Sequence, residues 1–257
     1  MSLLHAVIFG IVEGVTEFLP ISSTGHLILA ARVLGLAQTE FIKSFEIAIQ
    51  LGAILAVFFL YWKRFLVDFE ALKRVMVAFT PTSILGLVFY KLVKKTLLGN
   101  TKVVLWSLLI GGVLLIIFEL LYREKEIAKE DISDITLGQS FLIGVFQSVA
   151  IIPGVSRAAA TIVGGLLLGL RRKTIVEFSF LLAVPTMLAA TGFDLMKNAG
   201  LFSLNQFRFL FVGFIVAFIV AALSVKLLVY FIKNHNFILF GVYRIAVAFI
   251  FLFLAAY

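Results

Sequence analysis

Apolar stretches of about twenty residues recur along the chain, at 41–62, 80–98, 103–122, 178–196, 207–232 and 237–257. A helix of roughly 20 apolar residues spans the hydrocarbon core of a bilayer. Lipid offers no hydrogen-bond partner to the backbone, so such segments must satisfy themselves as helices. Composition points the same way: 62% of residues are hydrophobic, 14% are charged, and the mean hydropathy is +1.14. The expectation is an all-α polytopic integral membrane protein, with residues 1–257 forming a single membrane domain. No cysteine is present, which excludes disulfides and thiolate chemistry. The N-terminus lacks the basic start and small-residue cleavage pattern of a signal peptide. The formal net charge of +8 is expected to reflect cytoplasmic loops, and it favours anionic lipids or substrates; nucleic acid is not an expected partner.

Two pairs of apolar segments are too short to cross. Residues 3–19 and 22–36 meet at Pro20, and residues 137–152 and 156–170 meet at Pro153-Gly154. Each pair is expected to form a re-entrant hairpin that enters the membrane and returns, leaving about six full crossings. Proline ends or kinks a helix, and a break at membrane depth is tolerated only against protein or water. A cavity is therefore expected at each break. Residues 63–79 carry Lys63, Arg64, Lys73 and Arg74, with Phe65, Phe69, Leu72 and Met76 at helical spacing, which predicts an interfacial amphipathic helix. Residues 123–136 read as a solvated loop.

The chain repeats itself. Pro20 and Pro153 lie 133 positions apart, as do Ser23 and Ser156, and Phe45 and Phe178. Upstream of the prolines one gap is needed to set Glu13 beside Gln147. Repeat one covers about 1–122 and repeat two about 137–257. Interrupted helices at matching places in two halves point to a site between the halves. With six crossings, the basic loops 63–74 and 123–129, together with Arg171, Arg172, Lys173 and Lys233, fall on one side. Lys43, Lys102, Lys197 and Arg208 fall on the other. The basic excess marks the first side as cytoplasmic. The repeats are then inverted, and both termini lie outside.

The first break carries the chemistry of acids and hydroxyls. Glu13 and Glu17 stand one helical turn apart on one face. Ionisable groups at membrane depth cost roughly 3 kcal/mol or more each, so they usually mark a function. The two carboxylates suit a divalent cation, or they pair with Arg157. Ser22, Ser23 and Thr24 are good helix N-cap types. Ser23 is a candidate nucleophile with His26 as its base three residues on, the sequence leaving open attack by His26 itself or by a water, and Ser22 either caps or participates. The second break offers an anion site. Gly154 lets backbone N–H groups approach an anion at a helix N-terminus, and Ser156 caps or donates. Arg157 has the planar fork that suits phosphate oxygens, while Thr161 is less well placed for a contribution. Gln147, Glu46 and Gln50 either line the cavity or bridge helices.

These motifs resemble the bacterial undecaprenyl-diphosphate phosphatase family, the bacitracin-resistance family. The residues concerned are Glu13-x-x-x-Glu17, Pro20-Ile21-Ser22-Ser23-Thr24-Gly25-His26, and Pro153-Gly154-Val155-Ser156-Arg157 with Thr161. The segments 45–52 and 177–185 are similar as well, so the likeness covers nearly the whole chain. One departure is Ala158, where the family pattern usually has serine. The resemblance implies removal of the terminal phosphate from a C55 polyprenyl diphosphate, a divalent cation (magnesium or calcium), and a site open to the periplasm. It assigns Ser23, His26, Glu17 and Arg157 to catalysis, and Ser22, Thr24, Gly154, Ser156, Arg157 and Thr161 to substrate. Glu13 and Glu17 are assigned to metal. The expected partners are the isoprenoid diphosphate and membrane lipids, with a homodimer as the protein assembly considered. A lipid carrier is the rival from another class, because inverted repeats with broken helices also build transporters.

Overall fold

The computed structural model describes residues 1–97, 100–124, 131–198 and 204–256. Eleven α-helices are formed among them: α1 Leu3–Thr16, α2 Ser23–Val33, α3 Glu40–Leu60, α4 Trp62–Leu66, α5 Phe69–Leu92, α6 Thr101–Leu121, α7 Leu137–Ser148, α8 Arg157–Leu167, α9 Arg172–Asn198, α10 Leu204–Phe231 and α11 Ile238–Ala256. Five of these, α3, α5, α6, α9 and α10, contain stretches long and apolar enough to cross a bilayer. Helix α11, an apolar helix of 19 residues, comes close to that length. The chain is an all-α, multi-pass membrane protein.

Helices α1 and α2 form the first hairpin. Leu34 and Leu36, at the far end of α2, pack in one apolar cluster with Met1, so both limbs open on the same side. The second hairpin, α7 and α8, closes in the same way: Gln139 Nε2 donates to the Leu168 carbonyl at 2.9 Å. Each entering limb leans on a crossing of the other half. A methyl group added at Gly10 of α1 would stand 2.7 Å from the Gly213 carbonyl oxygen of α10. Likewise Gly144 of α7 leaves no room for a methyl group against the Ala78 backbone of α5. The halves therefore interlock rather than sit side by side.

The equivalence of the two hairpins runs at 134 positions, not 133. Capping boxes at Ser2 and Thr136 start α1 and α7. Gly10 matches Gly144, Glu13 matches Gln147 without a gap, and Gly35 matches Gly169, both at positive φ. Ser22 matches Ser156: each is the N-cap of the returning half-helix, with φ of 73° and 76°. The expected pairing of Ser23 with Ser156 is thus corrected. Ser23 is the counterpart of Arg157. Proline does not mark equivalent backbone positions here; the left-handed caps do.

Two segment boundaries also change. No separate interfacial helix occupies 63–79: α4 is one short turn, and α5 begins at Phe69 and continues through Pro81 to Leu92. The apolar spacing of Phe69 and Met76 marks a lipid-facing side, since both are exposed while Ala71, Val75 and Ala78 are buried. The loop expected at 123–136 contains a short turn at Ile132–Asp134, and its residues 125–130, including Lys129, lie outside the described residues.

The basic segments gather at one end. Arg64 reaches Asp131 at 3.5 Å, Arg74 Nε donates to the Ile135 carbonyl, and Arg172 pairs with buried Glu119 at 2.8 Å. At the opposite end, Ser44 near the start of α3 donates to Asp194 near the end of α9 at 3.3 Å. Arg64, Arg74 and Arg172 thus fall on one side, as expected for the segments that carry them.

Candidate active site

Both breaks meet at one small cavity of about 110 Å³. Its walls include Glu17, Ser22, Ser23 and Thr24 from the first break, and Pro153, Gly154, Ser156 and Arg157 from the second. The closeness follows from the backbone: a methyl group added at Gly25 would stand 3.7 Å from the Gly154 Cα. A larger open groove of about 460 Å³ lies at the basic end, between Arg171–Lys173 and Ile232–Asn236, remote from this chemistry.

Glu17 is the meeting point. Its Oε2 accepts a short hydrogen bond from Ser23 Oγ, and its Oε1 lies 3.5 Å from Arg157 Nη2. The unwound turn after α1 permits this. It places Ser23, the first residue of α2, across the break from Glu17 rather than on a continuing helix. Arg157 is held from behind: Nη1 donates to the Ser179 carbonyl at 2.8 Å, and its guanidinium lies 5.9 Å from the Phe18 ring centroid. Arg157 Nε has no hydrogen-bond partner, so donor capacity remains for an anion. The left-handed caps turn Ser22 Oγ and Ser156 Oγ back on the amides of Gly25 and Ala159, at 3.4 and 3.2 Å. Two half-helix N-termini with positive dipole ends therefore frame the cavity.

Glu13 lies one turn below Glu17, completely buried, and neither of its carboxylate oxygens has a hydrogen-bond partner. A buried carboxylate is costly unless paired or bound to a cation. Glu13 and Glu17 fit a hard divalent cation in this respect. No set of three or more His, Cys, Asp or Glu side chains suited to a metal occurs among the described residues. The protein would therefore supply two carboxylates, and phosphate oxygens and water the remainder, as is common for magnesium.

Two expected placements are corrected. His26 is not paired with Ser23. Its Nδ1 lies 2.7 Å from the Ser22 carbonyl and its Nε2 lies 3.0 Å from the Tyr243 hydroxyl, with the two rings nearly parallel. The turn of helix between Ser23 and His26 carries the imidazole towards α11 while Ser23 faces α1. Thr161 is not at the cavity wall. It is buried beneath Arg157 and bonds Ser179 Oγ at 2.6 Å, so it supports the residue that holds the guanidinium. Ala158 is buried in the apolar core and is not among the residues that line the cavity. Gln147 bridges helices: its amide donates to Thr82 and Thr186 at 2.8 and 3.1 Å. Glu46 accepts from Gln38 at 3.0 Å.

Arg244 is the residue that motif spacing misses. It sits in the middle of α11, is completely buried, and donates to carbonyls of both breaks: Pro20 at 3.3 Å, Gly154 at 3.0 Å and Val155 at 3.0 Å. A lone arginine inside a 19-residue apolar helix is itself the sequence signal, because such a charge needs a functional or structural reason.

Comparison with known proteins places the chain in a family. The profile described as bacitracin resistance protein BacA matches residues 6–250. The chain is 57% identical over 245 residues to an undecaprenyl-diphosphatase of Sulfurihydrogenibium sp., covering 95% of this chain and 96% of that one. It is 53% identical over 247 residues to that of Aquifex aeolicus, with 96% of each covered. For Persephonella marina the identity is 52% over 252 residues, with 98% of each covered. Matched from end to end and carrying the paired breaks at its centre, the chain belongs to the bacitracin resistance protein BacA family.

Proposed function

We propose that this protein hydrolyses undecaprenyl diphosphate to undecaprenyl phosphate and inorganic phosphate, recycling the lipid carrier of cell-wall synthesis and conferring bacitracin resistance. The observation that carries the proposal is the convergence on Glu17: one carboxylate of the first half takes both the Ser23 hydroxyl and the Arg157 guanidinium of the second half. A nucleophile on a base, beside an anion clamp, is the arrangement that phosphoryl transfer needs.

The steps follow from the positions. The diphosphate enters the cavity with its terminal phosphoryl group between the two half-helix N-termini. Ser22, Thr24, Gly154 and Ser156 line this space and supply hydroxyl or amide donors. Arg157 turns its unused Nε edge to the phosphate oxygens and draws away from Glu17. Glu17 then takes the proton from the attacking oxygen, either Ser23 Oγ itself or a water that Ser23 orders. The phosphorus–oxygen bond to the lipid phosphate breaks, and that phosphate leaves bearing the charge. Where water attacks, inorganic phosphate forms in that step; where Ser23 Oγ attacks, a water then breaks the Ser23 Oγ–phosphorus bond, Glu17 returns its proton to Ser23 Oγ, and inorganic phosphate leaves with the water's oxygen. Glu13 and Glu17 would hold a magnesium or calcium ion, which supplies neutralisation of the diphosphate charge. His26, bonded to Tyr243 and the Ser22 carbonyl, sets the first turn. Ile152 and Met187 line the cavity, with exposed Val149 and Leu188 nearby, and offer the isoprenoid an apolar path.

We further place the protein in the bacterial inner membrane with the cavity open to the periplasm, supported by the basic cluster at the other end. A lipid carrier would need the anion site but no hydroxyl poised on a carboxylate, so the Ser23–Glu17 bond favours hydrolysis. The test is product identification. Purified protein given a C55 diphosphate in detergent should release one inorganic phosphate per lipid monophosphate, and a chelator should stop it. Binding without release would favour the carrier.

A further inference from the structure

We infer that Arg244 is a positioning residue that pins the two re-entrant turns together, and that Gly111 is the notch that admits it; this rests on the active-site assignment above. The guanidinium has five N–H donors in a rigid fork. All five are used, and every acceptor is a backbone carbonyl. Nη1 donates to Pro20 at 3.3 Å and Val155 at 3.0 Å, Nη2 to Gly154 and Ser107, both at 3.0 Å, and Nε to Leu108 at 3.4 Å. Pro20 belongs to the first turn, Gly154 and Val155 to the second, and Ser107 and Leu108 to α6. Three of these carbonyls lie in irregular backbone, where no helix provides the partner that a buried C=O requires. One side chain therefore replaces the missing secondary structure of both breaks at once.

No carboxylate ion pair of Arg244 occurs among the described residues, which separates it from Arg157 and from the ion pairs at the basic end. Its positive charge is balanced by carbonyl dipoles alone, next to the place where a diphosphate would sit. The reach depends on α6. A methyl group at Gly111 would fall on the guanidinium, 2.8 Å from its Cζ and closer still to one nitrogen. Next to it, Gly112 and Gly241 bring α6 and α11 together, each leaving room for the other's carbonyl at 2.8 Å from an added methyl group. Helices α6 and α11 thus form a fixed post, and Arg244 ties both turns to it. Ser23 follows Pro20 by three residues and Arg157 follows Gly154 by three, so displacement of either carbonyl moves the reacting groups apart.

Three variants test this. Arg244→Met keeps the stem and removes every donor. Arg244→Lys keeps the charge but offers a single point that cannot span two turns and α6. Gly111→Ala leaves Arg244 in the chain and pushes its guanidinium off the carbonyls it bonds. Each is examined by thermal unfolding, by amide hydrogen exchange over segments 17–25 and 150–157, and by phosphate release. The expected result is faster exchange in both segments with protection kept in the crossing helices, and a turnover loss of about 100-fold, the scale of a 1 Å misplacement. Unchanged exchange in the two turns would overturn the inference. So would loss of protection throughout the bundle, which would make Arg244 a general structural residue, or full turnover in Arg244→Lys, which would make charge alone sufficient. The exchange experiment stands whatever the protein hydrolyses, so an inactive wild type would refute the phosphatase proposal and leave this one still decided by exchange.

Discussion

Ser22 and Ser156 share one left-handed backbone conformation at the heads of the two returning half-helices, with φ of 73° and 76°. Bulky L-residues avoid this region, and its appearance twice at matching positions means that both turns are built to the same plan. With the caps superposed, Ser23 falls where Arg157 falls in the other half. The same backbone position therefore presents a hydroxyl from one side and a guanidinium from the other, and Glu17 receives both.

Glu17→Gln should remove the acceptor of the Ser23 proton while keeping size. Turnover should fall by about 10²–10⁴-fold, the range of a positioned general base, and the unfolding temperature should stay close to that of the wild type. Retained turnover would show that Glu17 is not the base.

Glu13→Gln should raise the cation concentration needed for half-maximal rate and leave the fold intact. An amide is compatible with this position because Gln147 occupies its counterpart in the second half, also buried. The loss of charge removes what attracts a hard cation. A cation titration superimposable on that of the wild type would refute the assignment of Glu13 to metal.

Substitutions of the interlocking glycines should act on stability. Gly10→Ala and Gly144→Ala would force α1 from α10 and α7 from α5, at about 1–3 kcal/mol each, as for other overpacked sites. Gly86→Ala and Gly192→Ala meet nothing within 4 Å, and replacing a helical glycine there should stabilise by about 0.5–1 kcal/mol. Thermal unfolding of the four variants checks the contrast.

Access can be read from one engineered thiol, since the chain has no cysteine of its own. Thr24→Cys lines the cavity and should react with a membrane-impermeant thiol reagent added outside. Labelling from the cytoplasmic side alone would reverse the proposed orientation.

Much of this was legible in the sequence because lipid narrows the choices. Long apolar runs must be helices, and short ones that end at proline beside acids must fold back into protein. Glu17, Ser23, Gly154, Ser156 and Arg157 could be named because polar groups are conspicuous in such segments. What sequence spacing could not supply was direction. Ser23 and His26 look like a pair on a helical wheel, yet the break turns Ser23 to Glu17 and leaves His26 to Tyr243. The prolines suggested a register of 133, whereas equivalence is set by backbone dihedrals at Ser22 and Ser156, which residue identity does not reveal. The α5 boundary moved because Pro81 is carried inside a helix packed on its neighbours, a context that local propensity ignores. Arg244 went unmarked because it belongs to no motif, although its charge within an apolar helix was visible.

The central claim is that two breaks from inverted halves make one diphosphate-hydrolysing site, and Arg157 is the second half's principal contribution to it. The direct measurement is phosphate release from undecaprenyl diphosphate by wild type, Arg157→Ala and Arg157→Lys, each confirmed as folded. The account predicts steady release by the wild type and a loss of about 100-fold or more in both variants, since a point charge cannot replace the guanidinium fork. Release by Arg157→Ala at the wild-type rate, or none by the wild type, would contradict it.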